Sequence, residues 1–260
     1  SIAGPGATLA YAAGPQQGQA YTSDNLMRIH TFDVEMSNLD FMVNDLKILK
    51  TFDNTNVTFG YYKSLQNIEQ SWLWNSYLSE VKGDNASLVD VSAADGTSFS
   101  DNGLIAYGVP AWGNCCTRSY DLQYEVSAPY LAINSTFDRL TLDASVRYDS
   151  GSATGTYAGA VQSTIDMNRD GLISKPEESV SSVNNSAMSV ANYDWSYTSY
   201  SLGANYILND DLAIFGNLSH GGTTNADRLA FGKIASDGSV AEEDAVDEVD
   251  QYELGVKYRQ

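Results

Sequence analysis

The chain has 260 residues and is strongly acidic, with 14 Lys and Arg against 33 Asp and Glu and a formal charge of -19. That balance excludes a nucleic-acid partner, because a phosphate-binding surface needs a basic patch and none is visible. No run of about 18 apolar residues occurs, which excludes a membrane-spanning helix, while 17 Tyr, 21 Gly and few Lys tilt the composition toward β structure.

In chain order, the opening SIAGPGATLAYAAGPQQGQAY has no basic region ahead of an apolar stretch, so it is not an intact signal peptide. A first pair of strands follows, LKIL near Leu46 and VTFGYY from Val57, joined through the tight TFDNTN. A long connection is expected from Gln66 to Glu125. It carries Trp72, Trp74, Tyr77, Tyr107 and Trp112, which in such a place would form an aromatic platform for a sugar ring or a chelate. The alternative is that Trp72 and Trp74 belong to an aromatic girdle at a membrane rim or pack the loop. Cys115 and Cys116 are adjacent, which rules out a disulfide framework; a neighbouring-residue disulfide and a free pair both stay open. Zinc is not expected, since only His30 and His220 exist and neither lies near the cysteines in sequence.

The next pair is joined by NSTFDR and contains the clearest pattern in the chain. Leu140, Leu142, Ala144, Val146 and Tyr148 alternate with Thr141, Asp143, Ser145 and Arg147, so every charge falls on one face. A second long connection, Asp149 to Asp194, holds DMNRDGLISKPE. Those residues fit a calcium loop: Asp166, Asn168 and Asp170 at positions 1, 3 and 5, Gly171 at the sharp turn, the Leu172 carbonyl at 7, Ser174 at 9 and a bidentate Glu177 at 12. The flanking STI and ESVSSVNNSAMSV make no amphipathic helices, so the usual helical hands are missing. Calcium here would be structural, with no reaction attached; the alternative is a solvated Asp/Asn turn.

YSLGANYIL and LAIFGNLS form the third pair, joined through LNDD. Tyr200, Leu202, Ala204, Tyr206 and Leu208 oppose Ser201, Gly203 and Asn205, and Leu212, Ile214 and Leu218 oppose Ala213, Asn217 and Ser219. The connection from His220 to Asp250 is acidic. No Lys or Arg occurs from Ile234 to Val256, while Asp237, Glu242, Glu243, Asp244, Asp247, Glu248 and Asp250 crowd together, which reads as a solvated, mobile segment. Attraction of a cationic ligand is the second reading of that segment. YELGVKYR closes the series, with Tyr252, Leu254, Val256 and Tyr258 opposite Glu253, Gly255, Lys257 and Arg259.

Short and long connections in strict alternation describe an all-β, antiparallel transmembrane β-barrel whose two rims face different surroundings. Structureless connections beyond about 15 residues are rare in compact soluble domains. Strands of about nine to eleven residues span a bilayer when tilted. The apolar faces would meet lipid, and Asp143, Arg147, Glu253, Lys257 and Arg259 would face a wet lumen. The alternative is a secreted, calcium-stabilised β-sandwich that binds glycans or mediates adhesion. In the barrel Leu140, Leu142, Val146, Leu254 and Val256 point outward; in the sandwich they form a closed core.

The segments DRLTLDASVRYD, YSLGANYILNDDLAIFGNLSHGG and VDQYELGVKYR, in this order, resemble consecutive strands of TonB-dependent outer-membrane receptors. NVTFGYYKSLQNIEQSWLWNSYL and AYGVPAWGNCCTRSYD also look like segments of these receptors and precede the others as expected; the resemblance runs from about Asp24 onward. It implies residence in the bacterial outer membrane and TonB-energised uptake of a bulky nutrient such as a siderophore or an oligosaccharide. It also implies partners: outer-membrane lipid, the TonB complex and a small-molecule or oligosaccharide ligand. Family barrels have about 22 strands around a plug. Here no plug precedes the barrel, no TonB-contacting box is present, about seven or eight strands are expected, and the chain ends on Arg259-Gln260 instead of an aromatic residue. Residues 1–260 are therefore expected to be an interior portion of a longer receptor barrel, with long extracellular loops. No Ser–His–Asp ordering, Gly-x-Ser-x-Gly elbow, phosphate loop or metal-ligand histidine pair occurs, so no catalytic residues are expected and the chain is not read as an enzyme.

Overall fold

Wherever apolar and polar residues alternate in the sequence, the computed structural model has β-strand; it describes residues 5–23, 25–105, 117–225, 229 and 232–259. The strands are β1 (Thr8–Tyr11), β2 (Leu26–Thr51), β3 (Thr55–Glu80), β4 (Val89–Ser92), β5 (Ser100–Asp101), β6 (Leu104–Ile105) and β7 (Arg118–Phe137). They continue with β8 (Leu140–Ala158), β9 (Ala160–Ser163), β10 (Val180–Val183), β11 (Ser189–Asn209), β12 (Leu212–Thr224) and β13 (Val246–Tyr258). A 3-10 turn at Pro176–Ser179 and the short helix α1 (Glu242–Ala245) are the helical pieces among the described residues.

All three tight connections are reverse turns. Phe52 N–H donates to the Thr55 carbonyl at 2.8 Å, and Asp211 N–H donates to Asn209 Oδ1 at 3.0 Å. Asp138, at φ 51°, turns β7 into β8; Asp tolerates this left-handed conformation better than most side chains. The principal sheet runs β13-β12-β11-β8-β7-β3, with β2 on β3, and the β5–β6 ribbon joins it where Tyr77 pairs with Leu104. All-antiparallel neighbours with hairpin connections match the expected partial barrel, which is not closed in this chain.

Two expectations need correction. The strands are longer than nine to eleven residues: β3 has 26, β7 has 20, β8 has 19 and β11 has 21. The long connections shrink to match, to residues 81–117, 159–188 and 225–245. The cause is that clean alternation marks only the part of a strand whose two faces meet different solvents. Beyond it, both faces of β8 meet protein or water, and Ala153 and Ala158 are buried. Trp72, Trp74 and Tyr77 therefore stand on β3 and not in a loop, and Asp247, Glu248 and Asp250 stand on β13 and not in a mobile segment. Tyr107, Trp112, Cys115 and Cys116 lie outside the described residues.

The described chain divides into two compact units. The first, Ser1–Ser37, Gln70–Tyr120 and Tyr157–Met188, has a small apolar core of Tyr21, Leu78, Val89, Val91 and Ile105, with Leu9, Tyr11 and Leu26 against it. The second comprises Asn38–Glu69, Asp121–Thr156 and Ser189–Gln260, and there the apolar stripes are bare. Leu142 is 40% exposed, Val146 43%, Leu254 87% and Val256 65%. Tyr206, Ile214 and Val256 share one row across β11, β12 and β13, and Leu202, Leu218 and Tyr252 share another. A soluble sandwich would bury these rows. Such a continuous apolar sheet face is stable where it meets hydrocarbon.

On the opposite face of the second unit, glycines let rings lie flat across the strands. A Cβ at Gly255 would come 2.4 Å from the Phe215 ring, at Gly151 2.4 Å from Trp195, and at Gly60 2.0 Å from Tyr130. Tyr130, lying over Gly60, donates its hydroxyl to Asp45 at 2.9 Å. Gly60→Ala should therefore displace Tyr130 and cost about 1–3 kcal/mol of overpacking strain. Gly216→Ala, whose Cβ meets nothing closer than 3.7 Å, should be nearly neutral. Urea unfolding midpoints in detergent micelles check both, and equal shifts would count against ring-over-glycine packing.

Candidate functional site

The calcium-type loop sits on a β-ribbon. β9 and β10 pair antiparallel, Ser163 opposite Val180 and Ala160 opposite Val183, and residues 164–179 close over their ends. The strands take the place of helical hands. Gly171 takes φ 86° and Arg169 φ 60°, giving the sharp turn that position 6 requires. Asp166 accepts from the Asp170 and Gly171 amides at 3.2 and 2.8 Å. Asn168 Oδ1 accepts from Asp170 N–H at 3.0 Å, and Asp170 Oδ1 accepts from Leu172 N–H at 2.8 Å.

Glu177 closes the loop, though with protein donors as partners. Its Oε1 accepts from the amides of Met167 and Asn168 at 2.7 and 3.2 Å, and its Oε2 accepts from the Ser174 amide and hydroxyl, both at 2.9 Å. An ionised carboxylate offers about four acceptor positions, so these bonds saturate it. The residue is 1% exposed. Burial pushes its carboxyl up, but the Ser174, Asn168 and Met167 donors outweigh burial and hold it below its ordinary 4.5. Oxygens of the right type for calcium are present, yet no group of three or more His, Cys, Asp or Glu side chains is placed to hold a metal ion among the described residues. Glu177 faces the backbone and not a shared centre with Asp166 and Asp170.

Of the expected aromatic platform, Trp72 and Trp74 are already engaged. The Trp74 indole N–H donates to His30 Nδ1 at 2.7 Å, and the Phe32 ring lies 5.6 Å from Trp72 and 5.1 Å from Trp74. The Arg118 guanidinium stacks 4.5 Å over Trp72. Tyr77 is half-buried beside β6. In the acidic connection Lys233 pairs with Asp244 at 2.7 Å, and Ser239 donates to Asp237 through its amide and hydroxyl at 3.0 and 2.6 Å. Those residues are therefore held by specific bonds, and three of the seven acids, Asp247, Glu248 and Asp250, belong to β13.

The polar face of the second unit carries its own pairs. Arg147 holds Asp149 in a fork at 2.8 and 2.7 Å and lies 5.0 Å over the Tyr62 ring, while Lys257 lies 4.7 Å over Phe215. Asn217 faces Gly203 on one side and Glu253 on the other. Sequence reasoning placed Asp143, Arg147, Glu253 and Lys257 on this face but missed their partners. It also missed His220, which stacks 5.2 Å from Tyr200 and bonds Asp250 at 2.8 Å. The parity of β12 and β13 puts both on the apolar face, where this hydrogen-bonded polar pair interrupts the row of apolar side chains.

A protein-family model described as TonB dependent receptor-like, beta-barrel matches residues 4–260. No curated protein matches the chain. Among solved structures, the chain is similar to the ferric yersiniabactin uptake receptor FyuA from Yersinia pestis, with 11% identity and a TM-score of 0.39. That likeness covers 92% of this chain and 32% of the other, so the chain spans about a third of that receptor's length.

Because Glu177 titrates below 4.5 when folded, the order it supplies is complete above that pH and is lost as pH falls through the lowered value. Hydrogen exchange at the Met167, Asn168 and Ser174 amides should accelerate in that acid window and already at neutral pH in Glu177→Gln. Unchanged protection in the variant would show that the loop is held by something else.

Proposed function

We propose a transport role from one established premise: the chain belongs to the TonB-dependent receptor-like β-barrel family. Barrels of that family reside in the bacterial outer membrane, and this chain is placed there with them. The proposed role is a wall segment of a receptor that imports a bulky nutrient, such as a siderophore or an oligosaccharide. Energy would come from the TonB complex, acting through a plug outside this chain. The observation that supports this reading is the division of faces in the second unit: Leu202, Leu218, Tyr252 and Leu254 bare on one side, and Asp143, Arg147, Glu253 and Lys257 on the other. With Trp72 and Trp74 occupied by partners, aromatic contact with the solute would fall to Tyr77 and Trp112.

Calcium on the Asp166–Glu177 loop is part of the same proposal. Asp166, Asn168, Asp170, the Leu172 carbonyl and Ser174 would supply oxygens, and Glu177 would exchange some of its amide bonds for the ion. The ion would pin the loop; it has no chemical step. Terbium luminescence and protease protection of residues 159–188 test this. Protection that is equal in calcium and in chelator would leave Glu177 alone as the latch.

A charge facing hydrocarbon at mid-depth costs roughly 2–4 kcal/mol. Leu202→Arg should therefore sharply reduce accumulation of the receptor in the outer membrane, while Asn217→Arg on the wet face should be tolerated. Uptake of labelled siderophores and oligosaccharides by cells with and without a functional TonB complex tests the transport role. Uptake that is indifferent to TonB would overturn the energised-import reading.

A further inference from the structure

The polar face of the second unit carries a groove of about 510 Å³, lined by Lys47, Tyr130, Arg147, Ser199, Ser201 and Ser219. Two features of it are built by the fold. The first is a ring. Tyr130 lies across Gly60, where a Cβ would come 2.0 Å from it, and its hydroxyl donates to Asp45 at 2.9 Å. One face of the ring is thus spent on β3 and the hydroxyl tethers it, which leaves the other face to the groove that Tyr130 lines. A tethered aromatic face loses little freedom when a ligand stacks on it.

The second feature is a set of hydroxyls. Ser201 and Ser219 are register partners across β11 and β12, which puts their side chains about 5 Å apart. Ser199 stands two residues along β11 on the same face. Ser201 donates to Asn217 at 3.2 Å, which leaves its oxygen free to accept. A serine hydroxyl both donates and accepts, so this set suits a partner whose own hydroxyls do the same. Charge selects among such partners. Lys47 pairs with Asp45 at 2.8 Å, and Arg147 is held in its fork by Asp149, so both cations of the groove are already neutralised. An anionic chelate finds no spare positive charge here, and a chain of formal charge -19 opposes its approach. An uncharged, hydroxyl-rich molecule meets no such opposition.

We propose that this groove is a subsite for a neutral oligosaccharide, with one sugar ring stacked on Tyr130 and neighbouring hydroxyls bonded to Ser199, Ser201 and Ser219. The proposal rests on the import reading and narrows it, from a bulky nutrient to an uncharged glycan. It is tested by titration calorimetry on the complete receptor carrying this chain, in detergent micelles. The probes are maltohexaose, cellohexaose and xylohexaose as neutral glycans, with oligogalacturonate and a ferric tris-catecholate as anionic comparisons. At least one neutral hexasaccharide should bind about tenfold or more tighter than either anion. Its affinity should fall about tenfold or more in Tyr130→Ala and stay close to the parent in Tyr130→Phe, which keeps the ring. Ser199→Leu, which fills the groove and leaves Tyr130 in place, should lose as much and decides the matter if Tyr130→Ala fails to fold. Tighter binding of either anion, no binding of any neutral hexasaccharide, or neutral binding unchanged in Ser199→Leu or in a folded Tyr130→Ala overturns the glycan subsite. Glycan binding that follows these substitutions, in a receptor whose uptake is indifferent to TonB, would overturn the import reading instead and leave the subsite standing.

Discussion

A sheet with hydrocarbon on one side and water on the other must sort every side chain by parity, and a one-residue slip would exchange the two sets completely. That constraint governs the second unit. It puts Leu202 beside Leu218 and Tyr252 on the greasy side while Gly203, Asn217 and Glu253 take the wet side of the same strands. Rings lying over Gly60, Gly151 and Gly255 reinforce the register, because each ring fits only where the neighbouring strand has no side chain. The glycines that weaken an ordinary strand here work as sockets.

The first unit obeys a different rule. It has a conventional apolar core around Leu78, Val89 and Ile105, and its loop from Asp166 to Glu177 is ordered by a buried carboxylate that spends its full acceptor capacity on backbone amides and one hydroxyl. A carboxylate so fully bonded stabilises a loop that buries few apolar atoms. Metal binding at this loop must compete with those bonds, which makes ion affinity and loop order opposing demands on one side chain.

What could be read in the sequence follows from the same division. Strands with two unlike solvents declared themselves through period two, and the turns at Asp53, Asp138 and Asp211 through their short polar residues. The outer reaches of β3 and β8 did not, because Trp72, Trp74 and Ser150 to Ala158 sit where no solvent contrast imposes alternation. The calcium-type pattern correctly indicated a tight turn at Gly171, but the orientation of Glu177 depends on amides that no spacing rule encodes.

The β9–β10 ribbon has its own consequence. Its four pairs seal residues 164–179 at the base, so changes of length or composition inside that span need not propagate into the strands that carry it. Such a sealed cassette can take up or lose residues while the register of the strands that carry it stays as it is.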